Sequence, residues 1–371
     1  MTAVPFVDLV GQYAEIAEDV EPEIIHILRT GQYVGGVYLE RFESAMCYYL
    51  HANHCIGVSN GTDAITVALE AMGLGYGDSV IVPSNSFIAS AFGVTRAGCS
   101  ISFVDIDPDT YLLDVKQVEK ILKRSKKVKA ILAVHLYGQM PNMEQLREIA
   151  NKYKVALIED AAQAIGATYN NNHVGHYSDV ATTSFYPTKN LGTIGQGGAI
   201  ITNDTHIAEK VRTIINQGSK TKYRHVCLGG NYRLDTLMAA QLYHALRKLD
   251  EWNNRRRKIA YFYNDAFGSE HRPTQQPNSR HIYHLYEYRC ATPNERDNLE
   301  IMLRSADVSY GFHYPTLITE TDIYSGSKTP VGADLCRRLI SLPMFPTMTE
   351  DQAERVVRTV TSRHMISRMF D

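Results

Sequence analysis

The chain has little of what marks a specialised environment. Its 371 residues include one tryptophan and six cysteines. The cysteines (Cys47, Cys55, Cys99, Cys227, Cys290 and Cys336) are scattered, without the close pairs that hold zinc or a redox disulfide. They read as small reduced hydrophobes, and no metal site is expected. No apolar run approaches the roughly 20 residues of a membrane helix, and no charged-then-apolar leader opens the chain. A cytosolic protein without a membrane partner is expected. With 38 basic and 40 acidic side chains the net charge is -2, which excludes chain-wide attraction to nucleic acid. The one basic run, Arg255-Arg256-Arg257-Lys258, falls inside a helical pattern and reads as a solvated helix face. There is no internal repeat and no low-complexity tract.

What is present is an ordinary globular composition, 44% hydrophobic and 21% charged, in a chain long enough for two domains. Short apolar runs alternate with helical patterns. Strands are predicted at Cys55–Val58, Ser79–Pro83, Ser102–Ile106, Val128–His135, Val155–Asp160 and Ala199–Thr202. Between them lie helices such as Ala89–Ala97, Val115–Lys123 and Met143–Tyr153, after two more at Tyr13–Leu28 and Leu39–Leu50. This alternation predicts an α/β fold with a mainly parallel sheet covered by helices on both faces. Ligands in such folds sit beyond the carboxyl ends of the strands. After an irregular polar stretch, Gln217–Asn231, a long helix runs from Thr236 past Trp252 to about Phe267. The Pro- and Gln-rich segment Arg272–Ser279 then opens a smaller α+β part with strands at Ile282–Arg289 and Val308–Phe312 and helices at Glu295–Arg304 and from about Glu350. The expected division is a large domain over residues 1–248 and a connecting helix with a small C-terminal domain over 249–371.

The chemistry centres on one lysine. Ser184-Phe185-Tyr186-Pro187-Thr188-Lys189-Asn190-Leu191-Gly192 sets it between an aromatic pair and a glycine-rich turn, Gly195-Gln196-Gly197-Gly198. A buried amine with a depressed pKa attacks carbonyls and forms Schiff bases, whereas a solvated loop lysine does neither. Upstream, Ser59-Asn60-Gly61-Thr62-Asp63-Ala64 joins a strand to a helix, where free N–H groups and the helix dipole suit a phosphate. Phe87 leaves one strand, Asp160 ends another, and Gln163 follows one turn on. Each has a structural alternative: Asp160 as a helix cap, Phe87 as core packing, Ser184 as a satisfied hydroxyl. Together they are what pyridoxal phosphate needs: an amine for its aldehyde, a carboxylate for its ring nitrogen, donors for its phosphate and an apolar cover for its ring.

These stretches, with His135-Leu136-Tyr137-Gly138-Gln139, Asn231-Tyr232-Arg233-Leu234-Asp235, His313-Tyr314-Pro315 and Ser341-Leu342-Pro343-Met344-Phe345-Pro346, resemble the DegT/StrS-type sugar aminotransferases. Those are pyridoxal-phosphate enzymes of fold type I, and the likeness runs nearly the whole length. The resemblance implies that Lys189 is the catalytic amine, bonding the cofactor and shuttling protons. It implies Asp160 at the pyridinium nitrogen, Gln163 at the phenolic oxygen, Phe87 on the ring face, and Gly61, Thr62 and Ser184 at the phosphate. Asn231 would reach in from a neighbouring subunit, so a homodimer is expected. Tyr33, His135, Tyr186, His313 and Tyr314 are candidates for the sugar pocket, with structural packing as the alternative for each. L-Glutamate would supply the amine and a nucleotide-linked keto-sugar would receive it. Pro83-Ser84-Asn85-Ser86-Phe87-Ile88-Ala89-Ser90 looks most like the branch that aminates carbon 3 of dTDP-3-keto-6-deoxyhexoses, in deoxy-aminosugar biosynthesis. Amination at carbon 4, of a UDP-sugar or of a keto-cyclitol, is left open.

One departure is visible: Gln196 stands where the resembled enzymes more often carry an acid. Two competing readings fit less well. A sugar dehydratase on this scaffold would have histidine in place of Lys189. A regulatory or inactive partner subunit would not need the set Asp160, Gln163, Ser184 and Lys189.

Overall fold

A computed structural model describes residues 3–367 of the protein. Seven segments form its central sheet: β1 (His54–Val58), β2 (Ser79–Pro83), β3 (Ser100–Val104), β4 (Val128–Val134), β5 (Ala156–Asp160), β8 (Val180–Ser184) and β9 (Gly198–Thr202). Two short strands, β6 (Thr168–Tyr169) and β7 (Asn172–His173), lie outside it. The order is β1-β9-β8-β5-β4-β2-β3, and only β9 runs against its neighbours. The expected mainly parallel α/β sheet is therefore the architecture found.

The sheet is sandwiched because its strands are apolar on both faces. In β4, Ala130, Leu132 and Val134 belong to one core cluster, while Ile131 and Ala133 belong to another. Successive side chains of a strand point to opposite sides, so a continuous apolar run demands cover on both. The cover comes from α4 (Gly61–Ala71), α5 (Ala89–Arg96), α6 (Val115–Arg124), α7 (Met143–Tyr153) and α8 (Thr205–Ile215), with the earlier helices α1 (Leu9–Ala14), α2 (Ala17–Thr30) and α3 (Val37–Leu50). The first predicted helix is two helices, since the chain turns between Ala14 and Ala17.

Helix α9 (Thr236–Phe267) runs unbroken through residue 248. Its first half contributes Leu242, Ala245, Leu249 and Trp252 to the large core, and its second half gives Ala260, Tyr263 and Phe267 to a separate one. That second core also holds β13 (Tyr286–Arg289), β14 (Leu339–Leu342), α10 (Pro293–Ser305) and α12 (Glu350–Ser367), whereas α11 (Pro330–Cys336) packs beside the large sheet. The short strand β12 (Ser279–Arg280) pairs with β6 instead.

Three further readings of the sequence differ from the fold. Val308–Phe312 is not a strand; among the described residues its bridges are the isolated ones from Val4 to Val308 and from Gly311 to Ser341. The irregular stretch after α8 contains a small hairpin, β10 (Ser219–Thr221) and β11 (Arg224–His225). Strand β8 was not anticipated, because Val-Ala-Thr-Thr-Ser has no apolar run to announce it. Among the described residues no helix is long and apolar enough to cross a membrane, and no group of three or more His, Cys, Asp or Glu side chains could hold a metal ion.

Candidate active site

The carboxyl ends of the parallel strands converge on a cavity of about 470 Å³. Pairing register sets its walls: Val134 lies opposite Asp160, Asp160 opposite Thr182, and Ser184 opposite Gly198. One end is the turn into α4. Asn60 caps that helix by accepting from the Asp63 N–H at 2.9 Å. The Asp63 carboxylate in turn accepts from Ser59 Oγ at 2.6 Å, Asn60 Nδ2 at 2.7 Å and Arg96 at 2.7 Å. The first N–H groups of a helix have no partner within it, and those of Gly61 and Thr62 remain available at the cavity edge. Gly61 is required for the approach: a Cβ there would stand 2.8 Å from Ser184 Cβ.

Lys189 reaches the cavity floor from the turn after β8, half-buried, with its open side toward the cavity. The turn is pinned from several directions. Phe185 is fully buried edge-on to Phe42, Lys189 N–H donates to Tyr186 O at 2.8 Å, and Asn190 donates to Asn253 of α9 at 2.7 Å. Burial lowers the Lys189 amine from the ordinary lysine range to about 8, with the charge of Asp160 opposing part of the shift. Asp160 closes β5 at 6% exposure, and its carboxylate accepts from Ser90 Oγ at 2.7 Å and Ala162 N–H at 3.1 Å.

Of the other expected site residues, Phe87, Gln163, Ser184, Tyr186, His313 and Tyr314 all line the same cavity. Phe87 is half-exposed, its ring 5.6 Å from that of Tyr314. Gln163 Oε1 accepts from Tyr137 N–H at 2.6 Å, and its amide donates to the Tyr314 hydroxyl at 3.1 Å. His313 Nδ1 meets Ser341 Oγ at 2.7 Å. Three residues lie elsewhere. His135 has no exposed surface and is bonded to Glu159 at 2.6 Å. Val134 and Leu136 line the cavity while His135 between them does not. Tyr33 and Asn231 are exposed on loops outside this cavity.

Several lining residues were not anticipated. Ser90 holds Asp160 and is itself bonded to Ser86 at 2.7 Å. His284 comes from the segment before β13, where nothing in the sequence links it to Lys189. Burial holds its imidazole neutral, well below the ordinary histidine range, and Lys189 adds to that.

The residues present fit pyridoxal phosphate. A nucleophilic amine, a buried carboxylate held by Ser90, an exposed aromatic face and a helix N-terminus narrowed by glycine surround one space large enough for the ring and its phosphate. That combination on this sheet defines a pyridoxal-phosphate enzyme of fold type I. Residues 14–361 match the DegT/DnrJ/EryC1/StrS aminotransferase family. The chain is 40% identical over 367 residues to a pleiotropic regulatory protein of Geobacillus stearothermophilus, covering 96% of this chain and 97% of that one. It is 38% identical over 365 residues to the dTDP-3-amino-3,4,6-trideoxy-alpha-D-glucose transaminase of Streptomyces venezuelae, covering 96% and 95%. The crystal structure of S. venezuelae DesV in complex with a ketimine intermediate matches with a TM-score of 0.94 and 36% identity over 98% of each chain. NtdA of Bacillus subtilis with bound cofactor PMP matches with a TM-score of 0.90 and 31% identity, over 98% of this chain and 85% of that one. The protein belongs to the DegT/DnrJ/EryC1/StrS family and is a pyridoxal-phosphate-dependent aminotransferase.

Proposed function

We propose that this aminotransferase moves the amino group of L-glutamate to the ketone of a nucleotide-linked sugar, with a dTDP-3-keto-6-deoxyhexose as the acceptor and the 3-amino sugar as the product. The observation that carries the reading is the Lys189 amine, held at about 8 in a cavity it shares with Asp160. The name of the S. venezuelae relative supports the choice of acceptor.

When bound, pyridoxal phosphate supplies an aldehyde that condenses with amines and a ring that stabilises negative charge on the carbon losing its proton. The chain's own residues do the rest. Asp160, fixed by Ser90, holds the ring nitrogen in its protonated form. Gly61, Thr62 and Ser184 offer N–H and hydroxyl donors to the phosphate, and Phe87 covers the ring. Gln163, whose carbonyl is already committed to Tyr137, has an amide hydrogen left for the phenolic oxygen. Lys189 Nζ takes the proton from the donor carbon and returns it, then does the same on the acceptor side. Tyr186, His313 and Tyr314 line the sugar end.

A second copy of the chain completes the site in this reading and brings Asn231 and Tyr33 to it. Exposed apolar residues support this: Val34 at 59%, Val37 at 61% and Leu228 at 95% flank those two positions. Purified enzyme mixed with glutamate and a panel of dTDP-3-keto, dTDP-4-keto and UDP-keto sugars tests the acceptor. Amination of the dTDP-3-keto sugar at least tenfold faster than the others is the expected result, and a preference for any other acceptor overturns it. Transfer at the wild-type rate by Lys189→Ala would remove the mechanism.

A further inference from the structure

A buried carboxylate lies behind the cavity wall and is used by none of the steps above. In the antiparallel pair β13–β14, Glu287 stands directly opposite Ser341. Facing residues of such a pair project to the same side of the sheet, and here Ser341 Oγ is hydrogen-bonded to Glu287 Oε1. Both are buried, at 0% and 2% exposure. Ser341 also exchanges backbone hydrogen bonds with Gly311, at 3.1 and 2.8 Å, which brings the 311–314 segment alongside. Ser341 Oγ therefore meets His313 Nδ1 at 2.7 Å. The imidazole is held by Phe6, stacked 5.6 Å away at 19°, and by a hydrogen bond from the Tyr137 hydroxyl to the His313 carbonyl at 2.6 Å. No hydrogen bond among the described residues engages its other nitrogen, Nε2, and His313 borders the active-site cavity as well as a smaller one beside Phe6 and Arg256.

We propose that Glu287, Ser341 and His313 form a proton relay into the active site, with His313 Nε2 as the group that exchanges a proton with the carbonyl oxygen of the amino acceptor. The inference rests on the proposed keto-sugar acceptor for the identity of that oxygen, and on the hydrogen-bonded chain for everything else.

The chain has two polarities. With Glu287 protonated, its O–H donates to Ser341, Ser341 donates to His313 Nδ1, and Nε2 carries a hydrogen toward the cavity. With Glu287 ionised, Ser341 donates to the carboxylate, Nδ1–H donates to Ser341, and Nε2 becomes an acceptor. His313 is neutral in both, since burial and then Lys189 push it down to about 4. Burial raises Glu287 to about 8, with its bond to Ser341 opposing. Near neutral pH the relay therefore presents an acid, and it inverts as pH rises through about 8.

The chemistry calls for such a group. When an amine condenses with a ketone, C=N replaces C=O, and the oxygen leaves as water with two protons that the nitrogen gives up. One can pass through the relay. Nε2–H protonates the departing oxygen while Ser341 refills Nδ1 and Glu287 refills Ser341; the reverse transfer takes the nitrogen's proton back. No proton is gained or lost overall. A positioned acid or base contributes about 10²–10⁴-fold to such a step.

Other titratable groups face the relay. The Tyr111, Tyr137 and Tyr314 hydroxyls lie near Glu287, and burial raises all three, so none ionises near pH 8. His284 and Lys189 lie near His313, and free Lys189 titrates in the same range as Glu287. The comparison with a Glu287 variant, rather than a pH profile alone, is therefore decisive.

The test is 15N NMR of histidine-labelled holoenzyme between pH 6.5 and 9.5, with His313→Gln to assign the His313 signals. The expected result is an Nε2–H tautomer at pH 6.5 that converts to Nδ1–H with a midpoint near 8. In Glu287→Gln one tautomer should persist across the range. Ser341→Ala cuts the chain at its middle, so if Glu287→Gln does not fold, Ser341→Ala should show the same loss of conversion. In both variants the ketone-amination half-reaction should slow at least tenfold and lose its fall above pH 8. A wild-type His313 tautomer that ignores pH, or one that converts equally in the variants, overturns the relay. Conversion as expected in a protein that aminates no nucleotide-linked keto-sugar would leave the relay standing and count against the proposed acceptor.

Discussion

Replacing Lys189 by methionine should make the cofactor-free protein more stable near neutral pH while destroying its activity. The ammonium is drawn down from 10.5 to about 8 by burial. A shift of about 2.5 units at 1.36 kcal/mol each is about 3 kcal/mol. Because part of the amine faces water in the cavity, the realised figure should be about 1–3 kcal/mol. The sign follows from the two states. Below pH 8 the lysine is protonated both folded and unfolded, so folding carries the full cost of burying the charge. Between pH 8 and 10.5 the folded protein sheds the proton first, and the cost is progressively relieved. Methionine fills similar space without charge. Urea unfolding of both apo proteins at pH 7, 8.5 and 10 should show the variant ahead at pH 7 and its lead shrinking toward pH 10. Glu287 and the other groups titrate in both proteins and cancel in the difference. An equal or less stable variant at pH 7, or a lead that does not change with pH, would refute the buried-ammonium argument. The same shift raises the free-amine fraction at pH 7.5 from about 0.1% to roughly a quarter, which is the chemical return on that instability.

Other perturbations test the rest of the site. Gly61→Ala places a methyl 2.8 Å from Ser184 Cβ, so pyridoxal phosphate should bind at least tenfold more weakly in a spectral titration, and unchanged affinity would contradict the close approach. Ser90→Ala removes the 2.7 Å hydrogen bond to Asp160; at about 1 kcal/mol or somewhat more for a charged acceptor, cofactor affinity should fall about 5- to 30-fold with little change in unfolding midpoint. Glu159→Gln replaces an oxygen in a hydrogen bond to His135 in which neither side chain is exposed, while the other oxygen accepts from Gly175 N–H at 2.9 Å. It should cost about 1–3 kcal/mol in urea unfolding, and an unchanged midpoint would mean that these buried hydrogen bonds contribute nothing net to stability.

The features of the site legible in the sequence are those built by neighbours along the chain. A strand followed by Asn60-Gly61-Thr62-Asp63 is a helix start wherever it folds, because capping and free N–H groups are local properties. Asp160 could be placed at a strand end, and Lys189 at a turn, from apolar runs and glycines alone. Strand β8 was invisible because alanine and threonine are buried there by the strands beside them, not by their own hydrophobicity. His135 lies just past the end of β4 but not on the side that matters: it packs away from the cavity, against Glu159.

Read by itself, the stretch around Lys189 leaves a solvated loop lysine open beside a chemical one. Its residue type and the turn around it are sequence properties, and so are the capped helix and the acid at the end of β5. That its amine sits near 8 was decided by the tertiary structure, because desolvation depends on everything packed around a group. The meeting of Glu287, Ser341 and His313 was decided there too. Their separations along the chain are 54 and 28 residues, and only the register of β13 on β14, with Gly311 bridged to Ser341, puts them in one line. Local propensity carries no information across such distances, whereas the pairing of strands does.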